Sequence, residues 1–129
     1  MNEAIISLGA NTPDAAAALT AALDFVGLLG SVAVASGTFR SEAEGRADAP
    51  AYLNNILILA TSLSLDNLAR STKEYESGVR HRAAAEPLVA IDIDIVSFNG
   101  TILRPEVVAS RYYSKGIAAL QCGCHVSIQ

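Results

Sequence analysis

The chain has 129 residues, of which 51% are hydrophobic and 17% charged, and its formal net charge is −4. This size predicts one domain, residues 1–120, with a core that needs no disulfide or metal, and a tail at 121–129. The negative charge argues against nucleic acid and membranes as partners, so a nucleotide ligand would require local arginines or a bound cation. With no basic signal region and no apolar run long enough to span a bilayer, we expect a cytoplasmic protein.

The first half of the chain predicts a strand, a helix and a second strand. EAIISLG (3–9) is typical of a short apolar strand. Thr12 offers an N-cap hydroxyl for the next helix, whose apolar residues recur at spacings of four and three until Gly27 ends it. The alternating SVAVASGTFRS (31–41) predicts a strand, and EAEGRADAP (42–50), which has no periodicity, predicts an exposed loop.

The second half predicts a strand, a helix and a last strand. AYLNNILILATSL (51–63) is long and apolar. Ser64 can cap the next helix and Gly78 can end it, which leaves a loop at 79–87. IDIDIV (91–96) is the final strand. The order β-α-β-β-α-β predicts an α+β fold, in which one antiparallel sheet carries both helices on one face in a ferredoxin-like arrangement.

The last strand carries two carboxylates inside an apolar run. Strand side chains alternate, so Asp92 and Asp94 share one face while the isoleucines at 91, 93 and 95 share the other. The isoleucines fit the helix-covered core, and the aspartates would lie on the open face. They are either solvated there or hold a cation, and oxygen ligands at this spacing suit Mg²⁺ when phosphates complete its coordination.

The two cysteines of the chain, Cys122 and Cys124, lie one residue apart near the C-terminus. At that spacing they do not staple a fold. Together with His125 they form a possible soft-metal site, but an inert, frayed tail is the favoured interpretation.

Four motifs occur in an order that resembles a known family. They are SLGAN (7–11), AYLNN (51–55), the segment Y-E-S-G (75–78) before a basic loop, and IDIDIV (91–96). The chain is similar over about residues 4–120 to 6-hydroxymethyl-7,8-dihydropterin pyrophosphokinase. The resemblance implies a ferredoxin-like fold and transfer of a pyrophosphoryl group from ATP to the hydroxymethyl oxygen of a reduced pterin, leaving AMP.

The resemblance also implies roles for particular residues. Asp92 and Asp94 would hold two Mg²⁺ ions between ATP and pterin, and Arg80 and Arg82 would complete the catalytic set by holding phosphates. The substrate-binding residues would be Ser41, Tyr52, Asn54 and Ile117. The nucleotide-binding residues would be Glu74, Arg104, Arg111, Tyr112 and Lys115.

The sequence departs from the family pattern at several of these places. Val89 stands where the family has an arginine, the chain has no tryptophan, and a Pro-His-x motif is replaced by Arg111-Tyr112-Tyr113. Ile117 replaces an aromatic residue that stacks on the pterin. These departures leave two hypotheses open: a divergent pyrophosphokinase, or a catalytically degenerate relative that serves as a ligand-binding or assembly module.

Overall fold

In the computed structural model of this protein, residues 1–42, 50–80 and 88–122 are described, except for the side chains of Arg80, Gln121 and Cys122. The strands are β1 (Asn2–Ala10), β2 (Ser31–Ala35), β3 (Phe39–Ser41), β4 (Tyr52–Thr61), β5 (Asp92–Phe98) and β6 (Thr101–Ile102). The helices are α1 (Ala15–Gly27), α2 (Leu65–Arg80), α3 (Pro105–Val108) and α4 (Arg111–Cys122).

Within the described residues the six strands form one antiparallel sheet. Its order is β2-β4-β1-β5-β6, and β3 pairs with the other end of β4. β1 is central in the sheet, and its residues from Ile6 to Ala10 are buried. The mixed α+β architecture confirms the predicted ferredoxin-like fold.

One face of the sheet packs against α1 and α2 and forms the larger core. Ile6 and Leu8 of β1 are fully buried there, together with Val26 of α1 and Leu68 of α2. Ile93 of β5 joins them, as the alternation of the aspartate strand predicted. Each large apolar side chain buried in this way contributes about 1.5–3 kcal/mol.

The opposite face is covered in part by α3 and α4, which the sequence had left unassigned. Ile56 and Val96 point to this side and pack against Val107 of α3 and Tyr113 of α4. The expectation of an open face was therefore wrong for part of the sheet, because these apolar side chains of β4 and β5 need a cover of their own. The polar side chains on this face of the sheet lie beside this second apolar cluster.

Helix ends differ from the prediction at two places. Thr12 does not cap α1: its hydroxyl donates to the carboxylate of Asp14, and the helix begins at Ala15. Gly78 does not end α2, which continues to Arg80. The Ser64 cap is confirmed, since the Ser64 hydroxyl accepts the backbone N–H of Asn67 at 3.2 Å.

Other boundaries shift by smaller amounts. The predicted strand 31–41 is two strands, because Gly37 between them has a φ of +81° that breaks the extended conformation. Most of the predicted loop 42–50 lies outside the described residues, as do 81–87 of the second loop. α4 runs past the predicted boundary at 120, and residues 123–129 lie outside the described part. No helix in the described part has the length and apolarity to cross a bilayer.

Candidate functional site

The two aspartates of β5 lie on the same face of the sheet. The register between β1 and β5 sets Asp94 opposite Ser7 and Asp92 opposite Gly9. Asp94 is only 8% exposed, whereas Asp92 is exposed. Both carboxylates line one cavity of about 280 Å³. The period-2 alternation of the strand thus brings two acidic groups to the wall of a single pocket.

β4 and β3 supply the opposite wall of this cavity. Asn54 pairs with Gly9 across β1 and β4, and its amide N–H groups donate to the Ser41 hydroxyl at 2.8 Å and to the Phe39 carbonyl at 3.2 Å. These bonds fix the amide plane and turn the Asn54 carbonyl oxygen toward Gly9. A Cβ added to Gly9 would lie 3.4 Å from that oxygen. Tyr52, half-buried, lies on the same wall, 3.5 Å from that Cβ position.

The third wall comes from the turn into α3. The Arg104 guanidinium contacts an Asp94 carboxylate oxygen at 2.9 Å and a Glu106 carboxylate oxygen at 2.6 Å. The hydrogen bond that Arg104 donates to Glu106 and the charge of Asp94 raise the pKa of Arg104, and the same hydrogen bond lowers the pKa of Glu106. Arg104 is therefore a permanent positive charge between two carboxylates.

Asp94 is electrostatically unfavourable in its ionised form. Burial is the largest cause, and the charge of Asp92 is the next, so that the pKa of Asp94 rises from 3.8 to about 6 even though Arg104 lowers it. The charges of Glu76 and Glu106 act in the same direction as Asp92. A group of this kind favours any added cation, which would relieve the repulsion between the carboxylates.

A second groove, of about 590 Å³, adjoins the cavity and carries positive charge. It shares Ser41, Glu42, Ser110 and Tyr112 with the cavity. Its further lining includes three cations, Arg40, Arg111 and Lys115. Since the chain as a whole is acidic, this local cluster of cations makes the groove an electrostatically favourable place for the anionic part of a ligand.

The pocket with its paired carboxylates and the adjoining cationic groove lie on a ferredoxin-like sheet, and the comparison with known families identifies the family of this chain. Residues 5–121 match the family model described as 7,8-dihydro-6-hydroxymethylpterin-pyrophosphokinase (HPPK). The chain belongs to the HPPK family. The predicted family membership is confirmed, and at the level of the family it indicates a pterin pyrophosphokinase of folate biosynthesis. A search of curated proteins finds no match.

The structure of this HPPK family member brings together part of the predicted site. The cavity is lined by Ser41, Tyr52, Asn54, Asp92, Asp94, Arg104 and Tyr112. Arg111 and Lys115 line the adjoining groove, and the Lys115 ammonium lies 5.9 Å from the centre of the Phe39 ring. Asn54 rather than Asn55 faces the cavity, because neighbouring strand residues point to opposite faces.

Two predicted residues lie apart from both the cavity and the groove, and two more are not described by the structure. Ile117 packs in the apolar cluster beneath α4. Glu74 is exposed on α2, in a shallow depression with Arg70 and Lys73. Arg82 and the side chain of Arg80 lie outside the described residues, so their roles stay predictions.

Two residues of this HPPK chain hold the site together and were missed by sequence reasoning. The Glu76 side chain, 7% exposed, accepts the backbone N–H of Ile93, which lies between the two aspartates. Positions 68, 72 and 76 recur every four residues on the inward face of α2, and that spacing could have indicated Glu76. Asn11, at the end of SLGAN, exchanges hydrogen bonds with the backbone of Val89 and so ties down the approach to β5.

The donor set fits Mg²⁺ bound jointly with a phosphate ligand. The described residues contain no group of three or more side chains that would enclose a metal by themselves. Asp92 and Asp94 supply hard carboxylate oxygens on one face, and Mg²⁺ ordinarily takes one or two carboxylates and completes its octahedron with water and substrate phosphates. The raised pKa of Asp94 supports that fit, because it shows that the ionised carboxylate lacks sufficient compensating positive charge, which a metal ion would supply.

Proposed function

We propose that this HPPK family member transfers pyrophosphate from ATP to 6-hydroxymethyl-7,8-dihydropterin in an Mg²⁺-dependent reaction. The observation that supports it best is the meeting of Asp92 and Asp94 with Tyr52 and Asn54 in one cavity. Carboxylates that suit a hard metal and side chains that suit a flat ring line the same cavity, which supports transfer between a nucleotide and a heterocycle. A cytoplasmic location stays a prediction from the sequence.

The pterin end of the site would be the wall formed by β3 and β4. Tyr52 offers an aromatic face to a flat ring, and the Asn54 carbonyl points over the floor at Gly9, where it can accept an N–H of the ring edge. The two bonds from Asn54 to Ser41 and Phe39 preorganise this acceptor. A cavity of about 280 Å³ is at the small end of ligand pockets, which suits a bicyclic heterocycle.

The phosphate end would be the adjoining groove. Arg111 and Lys115 line it, and Tyr112 lies where the groove and the cavity meet. Arg104 lines the cavity itself. Arg80, the last residue of α2, and Arg82 are proposed as further phosphate ligands. Glu74 is proposed from the family resemblance alone.

In the proposed reaction the hydroxymethyl oxygen attacks the β-phosphorus in line and loses its proton to water. The bond from the β-phosphorus to the oxygen bridging the α-phosphate breaks, and AMP leaves with that oxygen. Asp92 and Asp94 would hold two Mg²⁺ ions, which when bound neutralise charge on the phosphates. Asn54 and Tyr52 orient the acceptor, and Arg111 and Lys115 orient the nucleotide. Positioning and charge neutralisation supply most of the catalysis in such transfers, so no strong general base is required.

A catalytically degenerate relative is the second candidate, and one observation favours it. Ile117, which stands at the position of the family's second stacking residue, packs in the apolar cluster instead of lining the cavity. A lost stacking partner costs about 1 kcal/mol. Such a protein would bind Mg²⁺ and nucleotide weakly and would act as a binding module.

The test is AMP formation from ATP and the reduced pterin, with and without Mg²⁺. The proposal predicts AMP only when all three are present, and none with Asp92→Asn or Asp94→Asn. Binding of a non-hydrolysable ATP analogue in the presence of Mg²⁺, without AMP formation from ATP, would favour the degenerate relative. ATP hydrolysis that is independent of the pterin would contradict both candidates.

A further inference from the structure

Arg104 spans two carboxylates at the mouth of the cavity. Its guanidinium is 2.9 Å from Asp94 and 2.6 Å from Glu106, and its side chain is 45% exposed. The backbone beneath it is fixed, since the N–H groups of Leu103 and Arg104 both donate to the carbonyl of Val96. The guanidinium can therefore move toward solvent or ligand while its attachment point stays in place.

This ion pair conflicts with a metal at Asp94. A metal cation at Asp94 would compete with the guanidinium for the same carboxylate, and the two positive charges would repel each other. We propose that Arg104 makes the site selective for the metal–nucleotide complex over the free metal ion, an inference that rests on the proposed function. Arg104 gives up Asp94 when a phosphate is present to receive its guanidinium.

The energetics of the two exchanges differ. A free metal ion has to displace the guanidinium from Asp94 without supplying a new hydrogen-bond acceptor. The displaced guanidinium then has only Glu106 and water as partners. A metal–nucleotide complex brings phosphate oxygens, which accept the planar guanidinium with two parallel hydrogen bonds. Arg104 has five N–H donors, enough to hold Glu106 and a phosphate at the same time.

The position of the phosphates supports this exchange. The cationic groove of Arg111 and Lys115 shares four lining residues with the cavity that contains Arg104. A triphosphate lying in that groove and reaching Asp92 and Asp94 would pass the guanidinium. Glu106, which is exposed, holds Arg104 at the wall of the cavity.

The test is Mn²⁺ binding, measured by electron paramagnetic resonance, in the parent protein and in Arg104→Met. For Mn²⁺ alone, the variant is expected to bind about fivefold more tightly, since the competing charge is removed. For Mn²⁺ with α,β-methylene ATP, it is expected to bind about tenfold to a hundredfold more weakly, since a charge-assisted hydrogen bond is lost. The two effects have opposite signs, which a general loss of structure does not produce.

The matched control is Arg70→Met, which removes the same charge from α2, where Arg70 bonds to Asn67 outside the cavity. It should change neither affinity. Unaltered or weaker binding of Mn²⁺ alone by Arg104→Met, with a parent that does bind Mn²⁺ and the analogue together, overturns the role of Arg104 and leaves the proposed function standing. A parent that binds no Mn²⁺ even with the analogue overturns both.

Discussion

Replacing Asp94 by asparagine should stabilise the metal-free protein while removing its metal-dependent function. The pKa of Asp94 rises from 3.8 to about 6, a value that already includes the favourable pairing with Arg104. At about 1.36 kcal/mol per pKa unit, ionisation of this carboxyl costs the fold at most about 3 kcal/mol. Solvent in the cavity screens part of that, and we expect a gain of about 1–2 kcal/mol for Asp94→Asn.

The sign with pH follows from linkage. The folded pKa of Asp94 lies above the unfolded value, so the penalty is fully present above about pH 6 and disappears as the pH falls below about 4. Urea unfolding in chelator should therefore show Asp94→Asn more stable than the parent at pH 7.5 and equal to it near pH 4. Asp92→Asn, the same change at an exposed position, is the control and should gain less. A variant that is no more stable at pH 7.5, or whose advantage grows toward acid, would refute the reasoning.

Three further predictions concern the frame of the site. Gly116→Ala should destabilise the protein by about 1–2 kcal/mol, because its Cβ would overlap the buried Ile56 side chain. Gly78→Ala, in open space on α2, should stabilise it by about 0.5–1 kcal/mol in thermal unfolding; equal effects of the two would contradict the packing of α4. Glu76→Leu should speed amide exchange at Ile93 and weaken Mg²⁺-dependent nucleotide binding, and Glu76→Gln, which keeps an acceptor, should restore the slow exchange; exchange that is unchanged in Glu76→Leu would remove the hydrogen bond from the account. Gly9→Val should leave nucleotide binding intact and reduce pterin binding about tenfold or more, since its side chain would fill the space between Asn54 and Tyr52; calorimetry showing normal pterin affinity would mean that the ring binds elsewhere.

The sheet and the aspartate face could be predicted because a period of two residues permits one solution. Once Ile93 faces the core, Asp92 and Asp94 must face the other way, and the register with β1 then sets Asp92 opposite Gly9 and Asp94 opposite Ser7. Family motifs gave the facing wall at Tyr52 and Asn54. These parts follow from the local chain and its nearest strand partner.

The parts that could not be predicted depend on long-range or competing contacts. Gly78 does not end α2, because Val79 still packs on the core and one exposed helical glycine costs only about 1 kcal/mol. Thr12 bonds to the nearer carboxylate of Asp14. The ion pair of Arg104 with Asp94 joins residues ten positions apart and depends on how the turn into α3 packs, which no periodicity indicates.

The aspartate pair is central to this account, and titration calorimetry with a non-hydrolysable ATP analogue tests it most directly. The parent should bind the analogue with Mg²⁺ and not without it, at an affinity in the high-micromolar range or weaker, because part of the family's arginine set and one stacking residue are missing. Asp92→Ala should lose that binding, since the metal loses a direct ligand. Tight binding without metal, or an Asp92→Ala variant that binds as well as the parent, would contradict the account.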